Sequence, residues 1–193
     1  MTALIPEIPT LRTDRLLLRG WRDEDLAPFA TLNADPVVME FFPAPLSRED
    51  SDAFVGRVAD GWAANGLGLW AVERRDDGAF LGFTGLTRPR FDAPFMPAIE
   101  VGWRFARHAW GSGYATEAAR ASLEFGFDVA GLDEIVSFTS PANVRSWRVM
   151  ERLGMGHDPA DDFDHPRLPH GHRLRRHVLY RLARTTWDKR QLD

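Results

Sequence analysis

Hydrophobic and polar positions change period several times along this chain, and each change predicts an element. Leu16-Leu17-Leu18 is a short apolar run between Arg15 and Arg19 and reads as a strand; the acid-rich Trp21-Arg22-Asp23-Glu24-Asp25 then opens a helix to about Asn33. Ser47 and Asp50 form a capping pair ahead of Phe54, Val58 and Trp62, which recur at helical spacing. Leu67 to Glu73 and Phe80 to Leu86 flank the turn signal Asp76-Asp77-Gly78 and predict an antiparallel hairpin, followed by a loop from Pro89 to Pro97. From Ile99 to Phe105 the pattern alternates, placing Ile99, Val101, Trp103 and Phe105 on a core face and Glu100, Gly102 and Arg104 on the other.

After Gly113, the small or apolar residues Ala115, Ala118, Ala119, Ser122, Phe125 and Gly126 share one side of a helix, which lets it lie close to a sheet. Ile135 to Thr139 is a strand. Asn143 caps a helix that ends near Leu153, with Gly154 placed as a left-handed C-terminal cap, and Leu174 to Leu182 is the final strand. Between them, Asp158 to His172 is rich in Pro, Asp and His, lacks a period and reads as a loop. The order β, α, α, β, β, β, α, β, α, β predicts an α/β fold with a mixed sheet. With no repeat or low-complexity linker, residues 1–193 read as a single domain with its core at about 10–184.

Composition narrows the function classes. A net charge of -4 speaks against nucleic acid as the main partner. The absence of cysteine removes disulfides, thiolate metal sites and an acyl-cysteine intermediate, so any acyl transfer is expected to be direct. No apolar run approaches the ~20 residues of a membrane span, and Met1 to Thr10 lacks the basic start and apolar core of a signal peptide. The expectation is a cytoplasmic protein without membrane association.

Arg107 to Ala118 joins the alternating strand to a glycine turn and then to a helix. Gly111 and Gly113 allow tight bending and close approach of the backbone to a ligand, while the free N–H groups that open the helix suit phosphate oxygens. The spacing excludes G-x-x-x-x-G-K-[ST] and the three-glycine dinucleotide fingerprint. His108-Ala109-Trp110-Gly111-Ser112-Gly113 instead resembles the [QR]-x-x-G-x-[GA] pyrophosphate loop of the GNAT superfamily of N-acetyltransferases, with His108 in place of Gln or Arg. Trp110-Gly111-Ser112-Gly113-Tyr114-Ala115-Thr116-Glu117-Ala118 is similar to the subgroup of ribosomal-protein N-terminal alanine acetyltransferases. So are the opening Leu11-Arg12-Thr13-Asp14-Arg15-Leu16-Leu17-Leu18-Arg19, taken as one strand, and the closing Asn143-x-x-Ser146-x-x-x-Met150-Glu151-Arg152-Leu153-Gly154-Met155.

This resemblance implies a mostly antiparallel twisted sheet flanked by helices, acetyl-CoA as cosubstrate, and an amine acceptor that is a protein N-terminus or a small molecule. It also admits a homodimer. Coenzyme A would contact Trp103, Arg104, Phe105, the loop His108, Ala109, Trp110, Gly111, Ser112, Gly113, Tyr114 and Ala115, and Asn143. Backbone amides near Val101 and Gly102 would face the developing oxyanion.

Transfer to an amine needs a base and a proton for the leaving thiolate. Glu100, on the polar face of an otherwise apolar strand, fits a general base whose pKa partial burial raises; a structural pairing with Arg88, Arg90 or Arg104 is the alternative. Many GNAT enzymes place a Tyr acid where this chain has Met150, which cannot donate. Ser146, one helical turn after Asn143, is the hydroxyl in reach, although Asn143 can also simply cap and Ser146 bond to the backbone. The Met150 departure motivates a non-catalytic acyl-CoA-binding or sensing module as the second reading.

Five of the six histidines, His157, His165, His170, His172 and His177, crowd into one stretch, but without helical H-x-x-x-H spacing or cysteine they predict solvent-facing side chains and no metal site. Asp161, Asp162 and Asp164 in the same stretch are candidates for attracting a cationic acceptor, with plain solvation as the alternative. Trp62, Trp70, Trp103 and Trp147 fall at apolar-periodic positions and predict core packing.

Overall fold

A computed structural model describes residues 8–191; most of the Met1 to Thr10 stretch weighed above as a leader lies outside them. Leu11–Arg12 (β1) and Leu16–Arg19 (β2) form a tight hairpin, not one opening strand. Thr13 makes the turn by accepting the Leu16 N–H on its hydroxyl at 3.0 Å. A single 3-10 turn at Asp23–Asp25 leads into α1 (Leu26–Ala34). Ser47 then caps α2 (Arg48–Asn65) by accepting the Asp50 N–H at 3.0 Å.

β3 (Leu69–Arg74), β4 (Phe80–Thr87) and β5 (Glu100–Phe105) run antiparallel in succession. α3 (Tyr114–Glu124) continues through a π turn at Phe125–Val129, and β6 (Glu134–Thr139) and α4 (Val144–Leu153) follow. The chain closes with β7 (Gly156–His157), β8 (Phe163–Asp164), β9 (Arg176–Ala183) and α5 (Arg184–Gln191). The sheet order is β1-β2-β3-β4-β5-β6-β9-β7, with β8 also on β9. Among the described strands only β5 and β6 are parallel neighbours.

Three features depart from the pattern in the sequence. The stretch after Asp158 carries β8, whose pairing with β9 is a backbone matter that no side-chain period reveals. α5 is polar apart from Trp187, which is buried and stacks on Phe127 with ring centroids 5.4 Å apart. On β5 Arg104, assigned to the polar face, is buried, whereas Trp103 is only half-buried. β5 is a central strand with helices on both sides, so its alternation does not separate core from solvent. α3 packs on it on one side and, on the other, Asn33 of α1 and Phe54 of α2 reach Arg104.

A buried ion pair fixes the start of α1. Arg19 donates to both oxygens of Asp25, at 2.7 and 2.9 Å, and to Glu73 at 2.7 Å. Asp25→Ala leaves this guanidinium buried with half its partners, so we expect a loss of about 3–5 kcal/mol of stability, measurable by urea unfolding. A loss below 1 kcal/mol would show that Glu73 alone compensates the charge.

Candidate active site

β5 and β6 are in register only at Glu100 opposite Val136, where the Val136 N–H donates to Ile99 O at 2.8 Å. Past that point the two strands part. The opening is one end of a cleft of about 1470 Å³, larger than the roughly 300–1,000 Å³ of an ordinary small-ligand pocket and able to take a long ligand together with a second molecule.

At one end lies the glycine turn. Gly111 and Gly113 have φ of 77° and 80°, a left-handed conformation that residues with a Cβ rarely adopt. Gly113 is the N-cap of α3 and supplies no side-chain cap, so the first-turn N–H groups have no partner within the helix. Arg15 braces this end: its Nη1 donates to Ser112 O at 2.9 Å, its Nε donates to Glu117 at 2.7 Å, and its guanidinium lies 4.7 Å from the Tyr114 ring centroid. Thr13 donates to the other Glu117 oxygen at 2.6 Å. Against the upward push of partial burial, these hydrogen bonds and the Arg15 charge hold the Glu117 carboxyl below its ordinary value. Arg120, Arg148 and Arg152 line the same cleft. The part of Thr13 and Arg15 at this turn is not visible in the sequence because their contacts span about a hundred residues.

Glu100 sits where the strands part. Burial pushes its carboxyl up to about 8. Among the described residues it has no salt bridge, so the pairings with Arg88, Arg90 or Arg104 do not form. On the flank, Asn143 caps α4 by accepting the Ser146 N–H at 3.3 Å and donates to the Thr139 hydroxyl at 3.0 Å; both Asn143 and Ser146 line the cleft. Met150 is buried in the core and does not line it.

Of the predicted coenzyme contacts, Trp103, Arg104, Phe105, Ala109, Trp110, Gly111, Gly113, Tyr114, Ala115 and Asn143 line this one cleft. Ser112 contributes its carbonyl to Arg15, and His108 lines a separate hollow with Leu32 and Phe80. The histidine stretch is not uniformly solvent-facing. His165 and His177 turn into the cleft with ring centroids 5.2 Å apart, among Phe91, Phe138 and Phe163. Burial, then the neighbouring His177 and Arg167, pull His165 down to about 4, so its ring is neutral at pH 7.

Asp161, Asp162 and Asp164 stand outside the cleft wall, and each is paired: Asp161 with Arg181 at 2.6 Å, Asp162 with His157 at 2.7 Å, and Asp164 with Arg175 and Arg176 at 3.2 and 3.6 Å. Among the described residues, no three His, Asp or Glu side chains are grouped as metal ligands, and no helix is long and apolar enough to cross a membrane.

Residues 15–156, from the β1–β2 turn to the start of β7, match the family model described as "Acetyltransferase (GNAT) domain". The chain belongs to this family. YkkB of Bacillus subtilis (strain 168) is 35% identical over 146 residues, covering 75% of this chain and 84% of that protein. The FsC-acetyl coenzyme A-N(2)-transacetylase of Aspergillus fumigatus is 30% identical over 156 residues, covering 77% of this chain and 66% of that protein. The crystal structure of a GNAT-family acetyltransferase from Bacillus anthracis superimposes with a TM-score of 0.75 at 26% identity, over 92% of this chain and 99% of that one. The protein is therefore an acyltransferase of the N-acetyltransferase class, with acetyl-CoA as cosubstrate and an amine as acceptor. Its residues fit that cosubstrate: a helix start whose first-turn N–H groups have no partner within the helix, in a cleft that Arg120, Arg148 and Arg152 also line, suits a pyrophosphate, and the gap between β5 and β6 suits an extended arm.

Proposed function

We propose that this enzyme transfers the acetyl group directly from acetyl-CoA to a primary amine placed beside Glu100. The observation that carries this reading is the desolvated Glu100 carboxyl, without a salt bridge among the described residues, at the point where β5 and β6 separate, in the same cleft as the α3 N-terminus. The Gly111 to Ala115 turn, with Arg15 at its back, holds the pyrophosphate, and Asn143 with the Trp103 to Phe105 backbone lines the arm. Bound there, acetyl-CoA supplies an activated thioester. Glu100 takes the proton from the acceptor ammonium, directly or through a water, and leaves a nitrogen that can attack the acetyl carbon. As the carbon–sulfur bond breaks, the nitrogen releases its second proton to solvent, and Ser146 donates a proton to sulfur and regains one from solvent. The absence of cysteine supports a route with no acyl-enzyme.

Thiol release from acetyl-CoA, measured against a panel of small amines and N-terminal peptides, tests the reading. Release that depends on an amine, with an N-acetylated product seen by mass spectrometry, supports it; coenzyme binding without turnover across the panel supports a sensing module instead. Ser146→Ala is expected to slow turnover by about tenfold or less, because water replaces the hydroxyl as acid. A loss seen only in coenzyme affinity would make Ser146 a binding residue.

A further inference from the structure

Arg104 lies in the wall of the cleft, on the same β5 face as Glu100 and opposite Val101 and Phe105. Its side chain is buried, with the residue 9% exposed. The guanidinium stacks 4.0 Å from the Phe42 ring centroid, with Phe83 and Phe54 at 5.4 and 5.8 Å. Its Nη1 donates to the neutral Asn33 amide oxygen at 2.6 Å, and its Nε has no partner among the described residues. Among the described residues no carboxylate forms a salt bridge with it, unlike the buried Arg19, which holds two. Burial alone pulls its pKa down, to about 10, and leaves it charged at neutral pH.

A desolvated cation without a counter-ion costs stability, and such groups concentrate where a ligand completes them. The coenzyme phosphates belong to the α3 end, which packs on the opposite face of β5. On the Arg104 face the cleft is walled by Val37, Phe41, Phe42 and Phe83, and Glu100 is the acid on that face of the strand. We propose that Arg104 binds an anionic group of the acceptor, so that the natural substrate is an amine that carries a carboxylate or phosphate. Glu100 and Arg104 are four residues apart on one strand, roughly 13 Å between Cα atoms. Side chains shorten that separation, with Glu100 Oε1 leaning toward Gly102, so the length series below reads how many bonds lie between the anion and the reacting nitrogen. The aromatic walls fit an apolar spacer between the two ends.

This inference rests on the transfer reading above and is tested so that the two can fail separately. The probes are 4-aminobutyrate, 6-aminohexanoate and 8-aminooctanoate, each against the n-alkylamine of the same length. In the parent enzyme kcat/KM should favour the longer amino acids by about 10- to 100-fold, the range of a charge-assisted hydrogen bond in a dry site. In Arg104→Gln that ratio should fall to near one, whatever common factor slows both series, and Arg104→Lys should restore part of it. A merely structural Arg104 would slow both series together and leave the ratio intact. Absence of preference in the parent, or its persistence in Arg104→Gln, overturns the proposal. If no amine is acetylated, the transfer reading fails, and calorimetry of glutarate binding to the coenzyme A complex still reads the anion site. Binding lost in Arg104→Gln supports the site, and binding absent from the parent or unchanged in the variant removes it.

Discussion

Glu100→Gln should lower turnover by about 10²- to 10⁴-fold with acetyl-CoA affinity little changed, because the amide keeps the shape of the side chain and cannot take a proton. The sign of the pH effect follows from the carboxyl being held near 8 by burial. The group acts as a base only when ionised, so kcat/KM in the parent should climb about tenfold per pH unit up to that value and then level. The variant should lack this limb. Stability gives a second readout that needs no substrate. The folded protein holds the Glu100 proton from its ordinary value of 4.5 up to about 8, so the favourable contribution is complete below 4.5 and is lost as pH rises through 8. Glu100→Gln should flatten that decline in melting temperature. Near-normal turnover at neutral pH would leave Glu100 without a catalytic part.

Gly113→Val should weaken coenzyme A binding by at least about 100-fold, the equivalent of losing two or more charge-assisted hydrogen bonds. Space is not the reason: a Cβ built at this position meets its nearest atom, Arg15 Nη2, at 3.5 Å, an ordinary contact. The backbone is. With φ at 80°, a β-branched residue is driven toward another conformation, and the N–H groups opening α3 turn away from a common point. The turn is at the surface, so the variant should still fold, and titration calorimetry alongside a thermal melt separates the two effects. Unchanged affinity in a folded variant would falsify the phosphate-turn assignment.

The amino-acid sequence by itself determined the order of the principal elements from β2 to β9 and the glycine turn, and placed Glu100 on a strand, because these depend on local properties: side-chain period, capping chemistry and residues that tolerate positive φ. Ser47, Asn143 and Gly154 cap helices where their types predicted. Period failed where a segment has two buried sides, as at Arg104, and where pairing runs through the backbone, as at β8. Local chemistry does not show which charges pair. The acids at Asp161, Asp162 and Asp164 look free in sequence, yet distant arginines and His157 pair with them. Only the tertiary structure decided that β5 and β6 part beyond Glu100, that Arg15 and Thr13 reach Glu117 across more than a hundred residues, and that Arg104 has no counter-ion among the described residues inside the cleft. A residue's type says what chemistry it can perform, whereas its desolvation and its partners are set by segments far away in the chain.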